Sequence, residues 1–364
     1  MDLFQMRDFD AHEQVVFGCD AASGLRAIIA IHSTTLGPAA GGCRMWPYTA
    51  TSDAVTDALR LSRGMSYKNA MAELPFGGGK AVIISDPREK TRQRMEAFGR
   101  LVDSLGGRYI TAEDVGTTTT DMGQVAGVTA FVSGLARESD RAAEAGMAVG
   151  GDPGPKTALG VFLGLKAAVR FRLGRASLEG LKIAVQGIGG VGLPLCRMLA
   201  AEGASLVVAD SRPGAVQSLC QEVGARQVPV ESILSQDVDV LAPCALGAIL
   251  DSRSIPTVRA RVIAGAANNQ LAREEDGEAL LRAGILYAPD YVINAGGIIS
   301  VSHEYRGDAT AAQVKAEIER IPARLTEIFE RARREGRPTS AIADQMAVER
   351  LAATGLRPLQ RASA

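Results

Sequence analysis

The chain of 364 residues has few histidines, few cysteines and few aromatic residues. No two of its five cysteines lie closer than 24 positions, so the paired spacing of zinc and redox sites is missing, and their odd number argues against a disulfide framework. Its three histidines are scattered, which leaves no metal cluster and no catalytic triad written in one stretch. We therefore expect no metal ion.

Long apolar runs and an excess of one charge are also missing. No run approaches the roughly 18 apolar residues that a membrane span needs, and the start of the chain lacks the basic and apolar segments of a signal peptide. A net charge of -1, 46% apolar residues and 22% charged residues exclude a disordered chain and a basic nucleic-acid-binding protein. We expect a cytoplasmic protein without a membrane or nucleic-acid partner.

Lysine is scarce, because 33 of the 40 cationic residues are arginine and only seven are lysine. Arginine keeps its proton in proteins, whereas a desolvated lysine can act as a base. Lys68 lies beside the apolar stripe of a predicted helix, and Lys80 follows a predicted glycine turn, residues 77–79, at the entrance of a strand. Asp114 follows the carboxyl end of another predicted strand, where α/β folds commonly hold active sites. Without further context, three ordinary structural roles explain these residues as well as a catalytic role does. Lys68 can extend its charged end to solvent, Lys80 can be a solvated strand end, and Asp114 can cap a helix.

Glycine and proline at residues 146–155 mark the predicted boundary between two domains. Strands and helices are mixed before it, and strand, glycine turn, helix and further βα units follow it. The predicted fold is α/β, with an N-terminal α/β substrate domain, a Rossmann-type domain with a doubly wound parallel sheet, and a cleft between them. The substrate and assembly domain is expected to comprise residues 1–145 and the tail 326–364, and the Rossmann domain residues 146–325.

A strand followed by a GxGxxG run and a helix predicts dinucleotide binding. In such a run Gly187 makes the tight turn, Gly189 lets the backbone approach a pyrophosphate and Gly192 permits close packing of helix and strand. Asp210 ends the next strand, 21 residues after Gly189, where an acid binds the ribose hydroxyls and favours NAD. Arg212 keeps NADP open as an alternative. The expected cofactor contacts in this region are Gly187, Ile188, Gly189, Gly190, Val191, Gly192, Asp210 and Ser211.

Seven short motifs occur in the order in which a known family carries them. They are LGPAAGGCRM (36–45), MSYKNA (65–70), GGGK (77–80), TAEDVG (111–116), APCALG (242–247), AGAANNQ (264–270) and APDYVINAGG (288–297). Together they resemble the leucine/phenylalanine/valine branch of the Glu/Leu/Phe/Val dehydrogenase family. The resemblance implies reversible oxidative deamination of an apolar L-amino acid with NAD and water, which yields a 2-oxo acid, ammonium and NADH.

The resemblance also implies a role for each matching residue. Lys80 is the general base that deprotonates water, Asp114 relays protons, and Lys68 binds the substrate carboxylate. The remaining substrate contacts that it implies are Gly41, Gly42, Ala40, Met65, Ala112, Val292 and Asn268, and it adds Thr157, Ala245 and Asn268 to the cofactor contacts.

The side-chain pocket that the resemblance implies is apolar. Ala40 stands where the glutamate enzymes carry a lysine, so no charge is offered to an acidic side chain. Ala40 resembles the phenylalanine branch, whereas Ala112 and Val292 resemble the leucine branch, and the preferred amino acid stays open. Cys43 replaces the threonine usual in the motif GGTR.

Three alternatives remain at this point. A 2-hydroxy-acid dehydrogenase needs a histidine acid/base and an arginine for the carboxylate, and the histidines here occupy no suggestive place. A non-catalytic NAD-binding regulatory protein has no need of Lys68, Lys80 and Asp114 together. A dehydrogenase of another bulky or aromatic amino acid fits the motifs equally well. Because family members form dimers to octamers, we expect a homo-oligomer.

Overall fold

The computed structural model describes residues 2–135, 149, 151–245, 247–307 and 309–353. The chain divides into two compact units: unit 1 spans Met1–Gly151, Val301–Ala309 and Met346–Ala364, and unit 2 spans Asp152–Ser300 and Thr310–Gln345. Part of the predicted boundary, residues 146–148 and 150, lies outside the described residues, as does the end of the tail from 354. Of the helices in the described ranges, none combines the length and apolar character of a membrane span.

Unit 1 contains a mixed sheet of five strands. They are β1 (Gln14–Asp20), β2 (Leu25–Ser33), β3 (Ala39–Trp46), β4 (Gly77–Ile84) and β5 (Tyr109–Glu113). The order across the sheet is β1-β2-β4-β3-β5. Strands β4, β3 and β5 run parallel, whereas β1 and β2 pair antiparallel. Because β3 lies between β4 and β5, side chains from these two strands meet only by reaching across β3.

Helices cover both faces of this sheet. They are α1 (Thr51–Met71), α2 (Arg92–Asp103) and α3 (Thr119–Ala126). Val55 and Leu59 of α1 pack with Val82 of β4 on one face. On the other face, Phe98 of α2 and Met122 of α3 belong to a second apolar cluster. Strands β2 and β4 therefore alternate their side chains between two buried layers.

The glycines at 77–79 form the start of β4 and not the predicted turn. A Cβ atom on Gly78 would overlap the backbone of Ser66 in α1, and one on Gly79 would lie 2.7 Å from the ring of Tyr109. These glycines thus serve close packing rather than a change of direction. As a consequence Lys80 lies in the middle of a buried strand, with 5% of its surface exposed.

Unit 2 contains a parallel sheet of six strands. They are β6 (Lys182–Gln186), β7 (Ser205–Ala209), β8 (Arg226–Gln227), β9 (Val240–Pro243), β10 (Val262–Ile263) and β11 (Leu286–Tyr287). Their order is β11-β10-β9-β6-β7-β8, with every pairing parallel. The strand order reverses between β6 and β9, which is the switch point where doubly wound sheets bind their ligands. The predicted α/β fold with a Rossmann-type sheet is confirmed.

The helices of unit 2 explain why its sequence limits differ from the predicted domain. They are α4 (Gly154–Leu173), α5 (Gly192–Ala201), α6 (Pro213–Val223), α7 (Glu275–Arg282), α8 (Asp290–Ile293), α10 (Ala311–Ile318) and α11 (Ile321–Glu335), and α9 (Gly296–Arg306) and α12 (Thr339–Ala353) continue from one unit into the other. The rings of Phe171 on α4 and Phe329 on α11 lie 5.3 Å apart, and Leu325 of α11 is fully buried. Residues 326–345, which the prediction groups with the tail, therefore pack in unit 2.

Candidate active site

Lys80 and Asp114 form a buried ion pair in unit 1. The Lys80 Nζ atom lies 3.0 Å from Asp114 Oδ1. Since Lys80 belongs to β4 and Asp114 follows β5, the pair reaches across β3. A Cβ atom on Gly42 of β3 would lie only 2.9 Å from the Asp114 Cβ atom, so this position needs glycine for the carboxylate to sit there. The structure thus brings the predicted base and the predicted relay residue into contact.

Arg44 binds the second oxygen of the same carboxylate. Its Nε atom donates to Asp114 Oδ2 at 3.0 Å, and its Nη1 atom donates to Asp57 Oδ2 of α1 at 2.9 Å. The Tyr48 hydroxyl donates to the same Asp57 oxygen at 2.6 Å. Burial by itself would raise the pKa of Asp114, but the charges of Lys80 and Arg44 outweigh it and lower the pKa below its usual value. Asp114 is therefore a carboxylate at neutral pH.

The sequence did not single out Arg44, Asp57 or Tyr48. Arg44 lies within one of the motifs, yet arginine supplies most of the positive charge in this chain, and nothing local distinguished it. Asp57 belongs to the helix α1, and its contact with Arg44 depends on how α1 packs onto the sheet. No sequence signal identifies such a contact.

The end of α1 that carries Met65 and Lys68 rests on the glycines of β3 and β4. The Asn69 side chain donates to the carbonyl of Gly77 at 2.6 Å. A Cβ atom on Gly41 would lie 3.2 Å from the Met65 side chain and would overlap the carbonyl of Gly79. Lys68 is half-buried in the last turn of the helix. These contacts place the Lys68 backbone against the strands that carry Lys80 and Gly41.

Strand β3 carries the other predicted substrate contacts of unit 1. The Tyr109 hydroxyl, fully buried, donates to the carbonyl of Gly41 at 2.5 Å. Ala40 pairs with Gly78 of β4 and Ile110 of β5 and is 9% exposed, and Gly42 pairs with Ala112. Predicted residues 40, 41, 42 and 112 thus adjoin one another in the sheet.

Cys43 is part of the structural support of Asp114. Burial raises the pKa of its thiol far above the usual value, so the side chain stays protonated. Its carbonyl accepts a hydrogen bond from the Thr117 hydroxyl at 2.8 Å, and the same hydroxyl accepts one from the Asp114 N–H at 2.9 Å. Because the backbone makes these contacts, the cysteine in place of threonine leaves them intact.

In unit 2 the glycine run after β6 is tightly packed on one side and open on the other. Gly187 has a positive φ of 95°, and a Cβ atom there would lie 2.7 Å from Ala245. A Cβ atom on Gly192 would overlap the carbonyl of Gly187. In contrast, beyond the adjoining residues, no atom of the described part of the chain lies within 4 Å of a Cβ position at Gly190, and at Gly189 only Arg212 does. Helix α5 begins directly after Val191. The exposed backbone beside the N-terminus of this helix fits a pyrophosphate.

Asp210 is held beside this turn by four donors, one of which is Arg212 Nη2, at 3.3 Å from the Oδ2 atom. Its Oδ2 atom accepts from the Ile188 N–H at 2.6 Å, and its Oδ1 atom accepts from Arg212 N at 2.8 Å and Arg212 Nε at 3.1 Å. The hydrogen bonds from the Arg212 side chain contribute most to lowering the pKa of Asp210 to about 2. Asp210 therefore presents a fixed negative charge, beside the neutral hydroxyl of Ser211, where a ribose is expected.

The remaining predicted contacts of unit 2 lie on separate segments. Thr157, in the first turn of α4, donates its hydroxyl to the carbonyl of Pro153 at 2.9 Å. Asn268 accepts from the side chain of Asn294 at 2.7 Å, which leaves its own amide nitrogen as a donor toward a ligand. Val292 of α8 is 2% exposed. The sequence motifs did not single out Asn294, although it lies in the motif APDYVINAGG (288–297), which also contains Val292.

Within the described ranges, no group of three or more histidine, cysteine, aspartate and glutamate side chains could hold a metal ion.

Comparisons with known proteins identify the family of this chain. Residues 12–130 match the family model described as Glu/Leu/Phe/Val dehydrogenase, dimerisation domain, and residues 211–357 match the one described as Glutamate/Leucine/Phenylalanine/Valine dehydrogenase. The chain is 48% identical to leucine dehydrogenase of Bacillus subtilis (strain 168), over 96% of this chain and 94% of that protein. It is 46% identical to valine dehydrogenase of Streptomyces virginiae, over 94% and 95% of the two chains.

A solved structure shares the fold as well as the sequence. The crystal structure of L-tryptophan dehydrogenase from Nostoc punctiforme superposes with a TM-score of 0.80 at 45% sequence identity, over 94% of this chain and 97% of that one. The resemblance found in the motifs is therefore confirmed. The chain belongs to the Glu/Leu/Phe/Val dehydrogenase family and is an amino-acid dehydrogenase.

Proposed function

We propose that the protein catalyses the NAD-dependent, reversible oxidative deamination of an apolar L-amino acid to its 2-oxo acid and ammonium. The observation that carries this proposal is the buried Lys80–Asp114 pair, in a chain that belongs to a family of amino-acid dehydrogenases. A lysine that is 5% exposed and paired with a carboxylate suits proton transfer in a site shielded from water.

The residues of unit 1 divide the proton chemistry among them. Lys68 binds the substrate carboxylate, and the backbone of Gly41 and Gly42 closes on the substrate because neither has a side chain. Residues around Gly189 and Asp210 would hold the cofactor, whose nicotinamide would supply the hydride acceptor that converts the substrate amine to an imine. Lys80 then removes a proton from the water that adds to the imine carbon, and it returns the proton to the leaving ammonia. Asp114, ionised at rest, is placed to accept the proton from Lys80 and give it back.

The preference for NAD over NADP rests on Asp210. Its fixed negative charge repels a 2′-phosphate and accepts hydrogen bonds from ribose hydroxyls. The positive charge of Arg212, which is 62% exposed, opposes this repulsion in part. Comparing kcat/KM with NAD and with NADP tests the preference, and equal values for the two cofactors would remove Asp210 from the selection.

The substrate pocket offers no charge to an acidic side chain. Ala40 and Ala112 are small and apolar. Leucine and valine therefore fit the proposal, and the names of two relatives contain these same amino acids. The small Ala40 and the likeness to the tryptophan enzyme favour an aromatic amino acid as the second candidate. Glutamate is the substrate that this pocket disfavours most.

Assembly and location complete the proposal. The matched N-terminal family model carries the description of a dimerisation domain, which supports a homo-oligomer. All five cysteines are free thiols, which supports a reducing compartment such as the cytoplasm.

The test follows NADH absorbance with purified protein, NAD and a panel of L-leucine, L-valine, L-phenylalanine, L-tryptophan and L-glutamate. The reverse reaction is run with the 2-oxo acids, with and without ammonium. We expect ammonium-dependent oxidation of NADH, and the ranking of the panel identifies the substrate. Oxidation of NADH without ammonium would overturn the proposal in favour of hydroxy-acid chemistry.

A further inference from the structure

The carboxylate of Asp114 is shared by two cations that differ in one chemical respect. Lys80 binds Oδ1 and Arg44 binds Oδ2, each at 3.0 Å. Lysine can lose its proton in a protein and arginine cannot. Any proton released from this group of three therefore comes from Lys80, while Arg44 stays charged throughout the reaction.

We propose that Arg44, backed by Asp57, is a positioning residue that sets the pH at which Lys80 loses its proton, and that it acts through the carboxylate they share. This inference rests on the proposed role of Lys80 as the base. A carboxylate bound by Lys80 alone would hold the lysine in its charged form. Arg44 takes one of the two oxygens and adds a positive charge on the far side, and both effects favour the neutral lysine.

Asp57 controls how strongly Arg44 acts. Its Oδ2 atom binds Arg44 Nη1 at 2.9 Å and accepts the Tyr48 hydroxyl at 2.6 Å, which anchors the guanidinium to α1. Asp114 and Asp57 together raise the pKa of Arg44 against the opposing effect of burial. Asp57 therefore balances part of the charge of Arg44, and without it Lys80 would experience more positive charge.

The arrangement is electrostatic and does not conduct protons. A proton that reaches Asp114 cannot pass on to Asp57, because the guanidinium between them has no acceptor site and does not release its own protons. Proton transfer therefore stops at Asp114 and does not continue through Arg44 to Asp57 or Tyr48.

Other ionisable groups lie on the elements packed around β4. They are Asp53, Asp57, Arg60, Arg63, Tyr67 and Lys68 on α1, Arg26 and His32 on β2, Cys43 and Arg44 on β3, Tyr109 and Glu113 on β5, and Asp114 after β5. Among the contacts of the described residues, Asp114 is the acid that binds Lys80, and Arg44 is the cation on its other oxygen. A change at Arg44 reaches Lys80 through Asp114, and the groups other than Arg44 and Asp57 stay the same in the variants below.

The test measures the pH profile of kcat/KM for amino-acid oxidation in the holoenzyme with NAD. We expect the rising limb to move up by about one pH unit in Arg44→Met, because a positive charge beside the pair is lost. We expect it to move down by about half a pH unit in Asp57→Asn, because a negative charge is lost. Arg44→Lys keeps the charge and is expected to return the limb toward the wild-type position.

Arg88→Met is the matched control in the same unit. Arg88 also binds an aspartate, Asp86, but its side chain is 89% exposed and lies outside the site. We expect its pH profile to match that of the wild type.

Opposite shifts in Arg44→Met and Asp57→Asn support the proposal, because a structural defect has no reason to reverse its sign. Loss of activity at every pH with an unmoved limb, or shifts in one direction in both variants, would overturn it. If Arg44→Met does not fold, Asp57→Asn and Arg44→Lys decide alone. If Lys80→Ala keeps the wild-type limb, the role of Lys80 itself fails, and that outcome is separate from a failure at Arg44.

Discussion

The candidate residues of unit 1 and those of unit 2 differ in which of their atoms they offer. In unit 1 the candidate groups are charged side chains, and Lys80 and Arg44 both bind the carboxylate of Asp114. In unit 2 they are backbone atoms around Gly189 and Gly190, with the carboxylate of Asp210 as the main charged partner. Gly78 of unit 1 serves a contact between strand and helix, whereas Gly189 and Gly190 of unit 2 leave their backbone open to a ligand.

This difference separates chemistry from binding. Proton transfer needs a group with a particular proton affinity, so unit 1 depends on which side chains are present. Pyrophosphate binding needs N–H groups at a fixed spacing, so unit 2 depends on which side chains are absent. The proton chemistry of unit 1 is therefore disabled by removing atoms, and the pyrophosphate site of unit 2 by adding them.

The largest expected effect is that of Lys80→Ala. Because it removes the base, we expect kcat to fall about 10³-fold. NADH affinity is expected to stay unchanged, since the cofactor residues lie in unit 2. Steady-state turnover and NADH fluorescence titration measure the two quantities. Lys90→Ala, which removes a lysine paired with Asp121 at 2.7 Å in the same unit, is the control with normal turnover. Near-normal turnover in Lys80→Ala would remove this residue from the mechanism.

The pocket of unit 1 gives the next largest effect. Ala40→Lys places an ammonium group at a position that is 9% exposed, and we expect kcat/KM for leucine to fall about 100-fold because of the unpaired charge. Ala40→Met has similar length without charge and separates crowding from charge. If apolar substrates are turned over at the same rate in Ala40→Lys as in the wild type, Ala40 does not line the pocket.

Adding one methyl group should disable unit 2. In Gly192→Ala the new Cβ atom overlaps the carbonyl of Gly187, and the turn must move away from the position that suits a pyrophosphate. We expect the NADH dissociation constant to rise about 30-fold, which corresponds to about 2 kcal/mol. Gly214→Ala on α6 is the control, because nothing lies within 4 Å of its Cβ position. Unchanged NADH binding in Gly192→Ala would contradict the comparison of the two units.

The smallest expected effect concerns stability in acid, which unit 1 alone should show because it contains every histidine of the chain. Burial, with a smaller contribution from His32, lowers the pKa of His12 to about 4. The His12 ring accepts the N–H of Asp10 at 3.1 Å, which a protonated ring cannot do.

The unfolded chain therefore binds a proton at His12 between about pH 6.5 and pH 4, where the folded chain does not. Stability from this group is complete above that range and falls as the pH falls through it. We expect the free energy of unfolding, measured with urea, to drop by about 1 kcal/mol more between pH 8 and pH 5.5 in the wild type than in His12→Gln. An equal drop in both would exclude His12 as the origin.

The dinucleotide motif shows how far local sequence reaches. A buried strand, the glycine spacing and Asp210 lie close together in the chain, and their geometry follows from the turn itself. Lys80 and Asp114 were found through motifs, since each lies in a short segment with a characteristic pattern. The conformation of the glycines at 77–79 was not found, because a glycine run is compatible with a turn and with a tightly packed strand.

The sequence by itself therefore determined the α/β class, the parallel sheet of unit 2 and the residues that carry charge or lack a side chain at the site. Only the tertiary structure decided that β3 separates β4 from β5, that Arg44 shares Asp114 with Lys80, and that α11 packs in unit 2. The physical reason is the range of the interactions. Turns and strands depend on neighbouring residues, whereas the contact between Arg44 and Asp114 joins positions 70 residues apart and exists only when the strands are ordered side by side.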